Sequence, residues 1–195
     1  MSQLPPFALL VTHTSNDVDH WKSAFDSNQA ARKAASILGH HINLGAENLV
    51  AVYMPATDRA KVQAFLASPE LREAMKAAGM TSPPRIDWLK PILDGHIGDR
   101  ATAAMIVTHE VADFDAWKAV YDSMASKRRE RGIIGAAVNQ ALDNPNLVTV
   151  YHQAETRAEL EAFVASIDLK VAMQAAGVKG PPEIRFVRSL PGVAY

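Results

Sequence analysis

Residues 11–27, Val11-Thr12-His13-Thr14-Ser15-Asn16-Asp17-Val18-Asp19-His20-Trp21-Lys22-Ser23-Ala24-Phe25-Asp26-Ser27, decide the fold, because their pattern returns ninety-six positions later. The second occurrence keeps Val107-Thr108-His109, Asp113, Asp115, Trp117-Lys118, Tyr121 and Asp122-Ser123. Each copy reads as a short apolar strand, an acidic break that can cap a helix, and an amphipathic helix. Val18, Trp21, Phe25 and Asn28 fall at i, i+3, i+7 and i+10, and Phe114, Trp117, Tyr121 and Met124 match them. That spacing places one apolar stripe against a sheet in both halves.

Working outward, Phe7 to about His13 predicts a buried first strand, and the helix runs to about Ala35. Ile37 to Leu44 and Leu49 to Met54 predict a hairpin around Gly45-Ala46-Glu47-Asn48. A second helix starts near Asp58, restarts at Ser68-Pro69-Glu70 and stops at Gly79. Arg85 to Lys90 then predicts a fourth strand. The second half repeats this order with a hairpin two residues longer, so the match from Leu147 onward runs at an offset of ninety-eight. Tyr53 then corresponds to Tyr151, Phe65 to Phe163, Met75 to Met173 and Pro83-Pro84 to Pro181-Pro182. The tail from Ser189 to Tyr195 carries no strong structural signal.

A βαββαβ order is the ferredoxin-like split βαβ pattern, with both helices on one face of an antiparallel sheet. The expected class is α+β: two tandem ferredoxin-like units, residues 1–92 and 101–195 with a linker at 93–100, packed sheet to sheet. Leu9, Leu10 and Val11 are apolar in succession, as a strand buried on both faces requires.

The composition narrows the function. Hydrophobic residues make up 48% of the 195 and charged residues 21%, and the net charge is −1 with both signs interspersed. A near-neutral chain has no electrostatic footprint for nucleic acid or an anionic membrane. Cysteine is absent, which removes thiolate nucleophiles, thiolate zinc sites and disulfides and fits a cytoplasmic setting. The N-terminus lacks the basic and apolar regions of a secretory signal. P-loop, dinucleotide, GxSxG and HExxH patterns are missing, which disfavours nucleotide-dependent chemistry.

The chain resembles the dimeric α/β-barrel superfamily over about residues 7–90 and 102–190. The resemblance rests on the element order and on the Val-Thr-His…Asp-x-Trp-Lys and Phe-x-x-Ser…Met-x-x-Ala-Gly blocks. That group includes antibiotic-biosynthesis-type monooxygenases, muconolactone isomerases, polyketide cyclases, haem-degrading oxygenases and stress-responsive barrel proteins. The resemblance implies a barrel built by one chain instead of two. It also implies a small hydrophobic or aromatic ligand and cofactor-independent oxygenation, isomerisation or cyclisation. The alternative is a ligand-binding or stress-responsive barrel without catalysis. No cofactor is called for, haem through one histidine stays open, and so does a homo-oligomer.

His13 and His109 leave the same strand at the same point and are the first candidates for a proton-transfer role. Asp87, at the neighbouring strand start, is expected beside His13, where its charge would raise the imidazole pKa. Arg185 takes the corresponding place in the second half. Asn43, Tyr53, Asn139 and Tyr151 occupy matched strand positions and are candidates to orient a ligand or bind an oxyanion. The competing reading makes both histidines structural and the tryptophans core. The His40-His41 pair alternates across a strand and has Ala136-Ala137 as its counterpart, so a metal site there is disfavoured. Lys127-Arg128-Arg129-Glu130-Arg131 reads as a solvated basic run.

Overall fold

The computed structural model describes residues 3–195. In the first half, β1 (Phe7–Thr14) leads through α1 (Val18–Ser27) and α2 (Gln29–Ala34) to β2 (Gly39–Gly45) and β3 (Leu49–Ala56). Helices α3 (Arg59–Ala67) and α4 (Pro69–Ala77) and strand β4 (Arg85–Gly95) follow. The second half runs β5 (Thr102–Val111), α5 (Phe114–Ser123), α6 (Ala125–Glu130), β6 (Gly135–Ala141), β7 (Leu147–Ala154), α7 (Arg157–Val164), α8 (Ile167–Ala175) and β8 (Val178–Ser189). A two-residue β9 (Val193–Ala194) ends the chain.

The helix starts use the expected caps. Asp17, Asp58, Ser68, Asp113 and Ser166 each accept a backbone N–H from the first turn, and Thr156 and Glu159 form a reciprocal capping box. The first helix is broken at Asn28, which separates α1 from α2.

Within the first half the strand order is β4-β1-β3-β2, and within the second it is β8-β5-β7-β6. All pairings are antiparallel. Two seams, β4 on β6 and β2 on β8, join the halves edge to edge. The result is an α+β fold in which two ferredoxin-like sheets face each other and close into one eight-stranded barrel. The segment read from sequence as a linker from residue 93 begins instead as strand. β4 continues through Gly95, because Leu93, Asp94 and Gly95 complete the seam with β6. Beyond it, the fully buried Gln153 side chain holds Ile97 at both ends, accepting from its N–H at 2.6 Å and donating to its C=O at 2.9 Å.

Alternation along each strand sorts side chains between two environments. Leu10, Leu89, Ile106 and Val187 fill the barrel interior with Tyr53 and Tyr151 beside them. Leu9, Trp21, Val52 and Met54 pack outward under the helices of the first half, and Trp117, Tyr121, Val148 and Val150 do so in the second.

Trp21 is 3% exposed in the outer layer. Replacing it with Ala removes the largest side chain of that cluster and should cost about 3–5 kcal/mol through lost burial and a residual cavity. Urea melts measure this, and retention of wild-type stability would show that Trp21 is not core.

Candidate functional site

The helix layer covers the two halves unequally. In the second half a cavity of about 520 Å³ lies between the sheet and α5–α8, whereas the corresponding space in the first half is about 120 Å³. The former falls in the roughly 300–1,000 Å³ range of small-molecule sites. Its wall is largely apolar, and the polar groups on it are few.

Four of them define the site. His109 leaves β5 on the outward face, with its ring 5.5 Å from that of Trp117. His152 leaves β7 on the same face, and its Nε2 lies 3.1 Å from the Tyr121 hydroxyl. Tyr121 stacks 5.0 Å from Trp117, and Arg128 lies 3.7 Å over the tyrosine ring while donating to its backbone carbonyl. Phe163 meets the His152 ring edge-on at 5.6 Å. Among the described residues, both ring nitrogens of His109 and Nδ1 of His152 are buried without a hydrogen-bond partner.

Burial dominates the electrostatics. It pushes His109 down to about 4, and His152 down to about 3 with help from the Arg128 and His109 charges. Both imidazoles are therefore neutral at pH 7. Burial pushes the Tyr121 hydroxyl up to about 12, against the opposing effect of Arg128. The arrangement offers a neutral proton acceptor, a neutral hydrogen-bond donor and a largely apolar wall partly open to solvent.

The residues expected from sequence are distributed over two faces of the sheet. His13 lines the small first-half space, 5.2 Å from the Trp21 ring, with neither ring nitrogen paired. The expected His13–Asp87 pair does not form. Asp87 is opposite Leu10 in the ladder, on the barrel-interior face, whereas His13 points outward. Asp87 accepts from Arg85, and burial pushes His13 down to about 4 where a carboxylate neighbour would have raised it. Arg185 pairs with Glu183, which also accepts from Arg85, so Arg185 belongs to an ion network at a barrel mouth and not to the His109 site.

Asn43, Tyr53, Asn139 and Tyr151 do come together, but inside the barrel. Tyr53 donates to Asn139 Oδ1 at 3.3 Å and Tyr151 to Asn43 Oδ1 at 3.2 Å. These crosswise pairs line a space of only about 50 Å³ on the opposite sheet face from His109. They cannot serve an oxyanion formed beside it.

Sequence reasoning missed Tyr121, His152 and Arg128 as a group. Arg128 was hidden in the basic run, and Tyr121 in an apolar stripe. The available signal was the comparison at the two offsets: Phe25 and Met54 stand where the second half has Tyr121 and His152. Trp21 and Arg32, by contrast, match Trp117 and Arg128, and Arg32 lies 3.6 Å over Phe25 as Arg128 lies over Tyr121. The histidine–tryptophan pair and the arginine clamp are thus common to both halves, while the Tyr121–His152 pair is confined to the large cavity.

This architecture is the dimeric α/β-barrel fold, supplied here by one polypeptide. Among solved structures, an anthrone oxidase-like protein matches at a TM-score of 0.69 and 13% identity, covering 96% of this chain and 92% of its own. A proposed monooxygenase from Lactobacillus acidophilus NCFM matches at 0.63 and 12%, covering 98% and 99%. A heme-degrading enzyme from Listeria monocytogenes matches at 0.53 and 9%, covering 92% and 97%. At such identities the likeness is one of fold. No protein-family model and no curated protein matches the chain. No helix among the described residues is long and apolar enough to cross a membrane.

Five histidines, His13, His40, His41, His109 and His152, have pKa values lowered to between about 3 and about 4. The unfolded chain therefore binds more protons than the folded one between these values and 6.5. Stability should be fully expressed above about pH 6.5 and decline as pH falls toward about 4. Urea midpoints across pH 4–8 measure it, and a flat profile from pH 6.5 to 5 would contradict the buried neutral state.

Proposed function

We propose that the second-half cavity is the active site of a small-molecule enzyme that oxygenates a planar, hydrophobic enolisable or phenolic substrate without a bound cofactor. The observation that carries this reading is the Tyr121–His152 pair, set in an apolar cavity where the corresponding first-half positions are Phe25 and Met54. With the ring proton on Nε2 donating to the Tyr121 oxygen, His152 Nδ1 is free to accept a proton and the tyrosine hydroxyl is free to donate. A substrate C–H or O–H acid lying against Nδ1 gives up its proton to the imidazole. Tyr121 donates to the enolate or phenolate oxygen that forms. The low pKa of the empty site does not oppose this, because the new anion beside the imidazole stabilises its cation. The electron-rich anion then reduces dioxygen directly. For anthrone, dioxygen inserts one oxygen at the methylene carbon to give the quinone and leaves the other as water. His109 is the second candidate base on the same wall.

The test is oxygen consumption with anthrone and related planar phenols, with no cofactor added. The variant Tyr121→Phe with His152→Met reproduces the first-half lining. It should fold with at least wild-type stability, since a buried polar pair gives way to apolar side chains. Turnover should fall roughly a hundred-fold or more. Wild type that neither consumes oxygen nor binds these compounds would defeat the reading. Binding without turnover would leave the non-catalytic, ligand-binding alternative.

A second reading rests on the two unpartnered nitrogens of the buried His109, which His13 shares, together with the cavity of about 520 Å³ that lies only beside His109 of the two. Haem held through His109 would bring iron redox chemistry to the same cavity, with Lys170 the cation at the rim for its carboxylates. A Soret band on haemin addition that His109→Ala abolishes would favour it over the cofactor-free reading.

A further inference from the structure

The basic run at 127–131 has a second face. Lys127 and Arg131 are one helical turn apart, and both reach Asp168 on α8, at 3.0 and 3.1 Å. Arg128 between them turns inward onto Tyr121. The spacing explains the division, since i and i+4 share one side of a helix and i+1 lies about 100° away.

Helix α8 is the element most easily lifted from the cavity. Leu169, Lys170, Ala172, Met173 and Gln174 line the space, yet no residue of the helix is buried. Its outward side leaves Ile167 78% and Val171 58% exposed, so hydrophobic burial does little to hold that side down. Helix α4 takes the corresponding place over the small first-half space. There Glu70 stands for Asp168, but Ala31 and Ala35 stand for Lys127 and Arg131. No ion pair joins α4 to α2 among the described residues. The two bridges are therefore confined to the half with the large cavity.

We propose that α8 is a gate over the second-half cavity and that Lys127 and Arg131, gripping Asp168, form its latch. This rests on the reading of that cavity as the ligand site. Exposed ion pairs are individually weak and screened by salt. A helix with no buried residue is nonetheless poised where a weak bias sets the open population. The same short segment clamps Tyr121 through Arg128, so lid position and the Tyr121–His152 pair share one support.

Two measurements on the full chain test it. Hydrogen exchange of the α8 amides should speed up roughly two- to five-fold in Asp168→Asn, and in wild type at 1 M salt, with α4 unchanged. Association of N-phenyl-1-naphthylamine, an uncharged apolar fluorophore, should accelerate by a similar factor. Salt should then have no further effect on the variant. Lys127→Gln with Arg131→Gln, which leaves the first-turn carboxylate of α8 in place, should speed exchange and association as Asp168→Asn does, and unchanged α8 exchange in that variant overturns the latch. Unchanged exchange, or faster exchange without faster association, overturns the gate while leaving the site in place. Fluorophore binding that survives a cavity-filling Ala172→Trp overturns the cavity reading and the gate with it.

Discussion

Closure of the sheet at its two seams governs everything else in this molecule. A four-stranded ferredoxin-like sheet has helices on one face and two unpaired edges, and neither the bare face nor the edges tolerate exposure. Pairing β4 with β6 and β2 with β8 satisfies the edges and hides both bare faces in one step. The closed ring then gives every strand residue a fixed side. The inside is narrow and already occupied by Leu10, Leu89, Ile106 and Val187, with the two Tyr–Asn pairs bridging across it. The barrel interior leaves only about 50 Å³, and the largely apolar space of about 520 Å³ lies instead between the sheet and the helices of the second half.

That sorting also explains which parts of the molecule were legible in the sequence. The period-2 and helical patterns, the caps and the matched offsets carry element order and fold class, because each follows from local backbone requirements. Face assignment is harder. Asp87 and His13 lie close along the sheet, but they differ in parity, and one residue of register separates a partner from a residue on the far side. His152 follows Tyr151, and only the registers that place Tyr151 inside the barrel turn His152 toward the helices. Arg128 looks like its neighbours Lys127 and Arg129 in composition. It turns inward because Tyr121, seven residues earlier, offers a ring face and a carbonyl one helix break away.

The unequal cavities have no single cause in the sequence. Leu66 and Met80 in the first half correspond to the smaller Val164 and Val178, whereas Ala24 corresponds to the larger Val120. Side-chain volume thus changes in both directions, and the helices respond to the sum. The chemistry is clearer than the volume. A buried polar group without a partner costs about 1–3 kcal/mol, so packing alone favours the Phe25–Met54 lining. Tyr121 and His152 satisfy one another only at a single contact, and Nδ1 of His152 stays unpaired. The first half carries Phe25 and Met54 at these two positions but keeps buried polar groups of its own, His13 with both ring nitrogens unpaired and His40 on the Tyr195 hydroxyl at 2.7 Å, so the halves differ in where the polar groups face and not in having them.

Neutral histidines in such a cavity differ from the exposed histidine of a general acid–base site. Their protonated form is disfavoured until a compensating anion arrives, and the apolar wall that imposes this penalty also strengthens the attraction once the anion is present. At neutral pH, well above these lowered values, proton uptake by either imidazole therefore requires a compensating anion beside the ring. The cost is greatest when water is excluded, which places weight on the helix that covers the site. Helix α8 contributes much of the wall while burying no residue of its own. The cavity is partly open to solvent in this structure, so a ligand can enter, yet it is most useful chemically when shut. A cover held by a few exposed ion pairs meets both demands, because it closes over the ligand without making the closed state hard to leave.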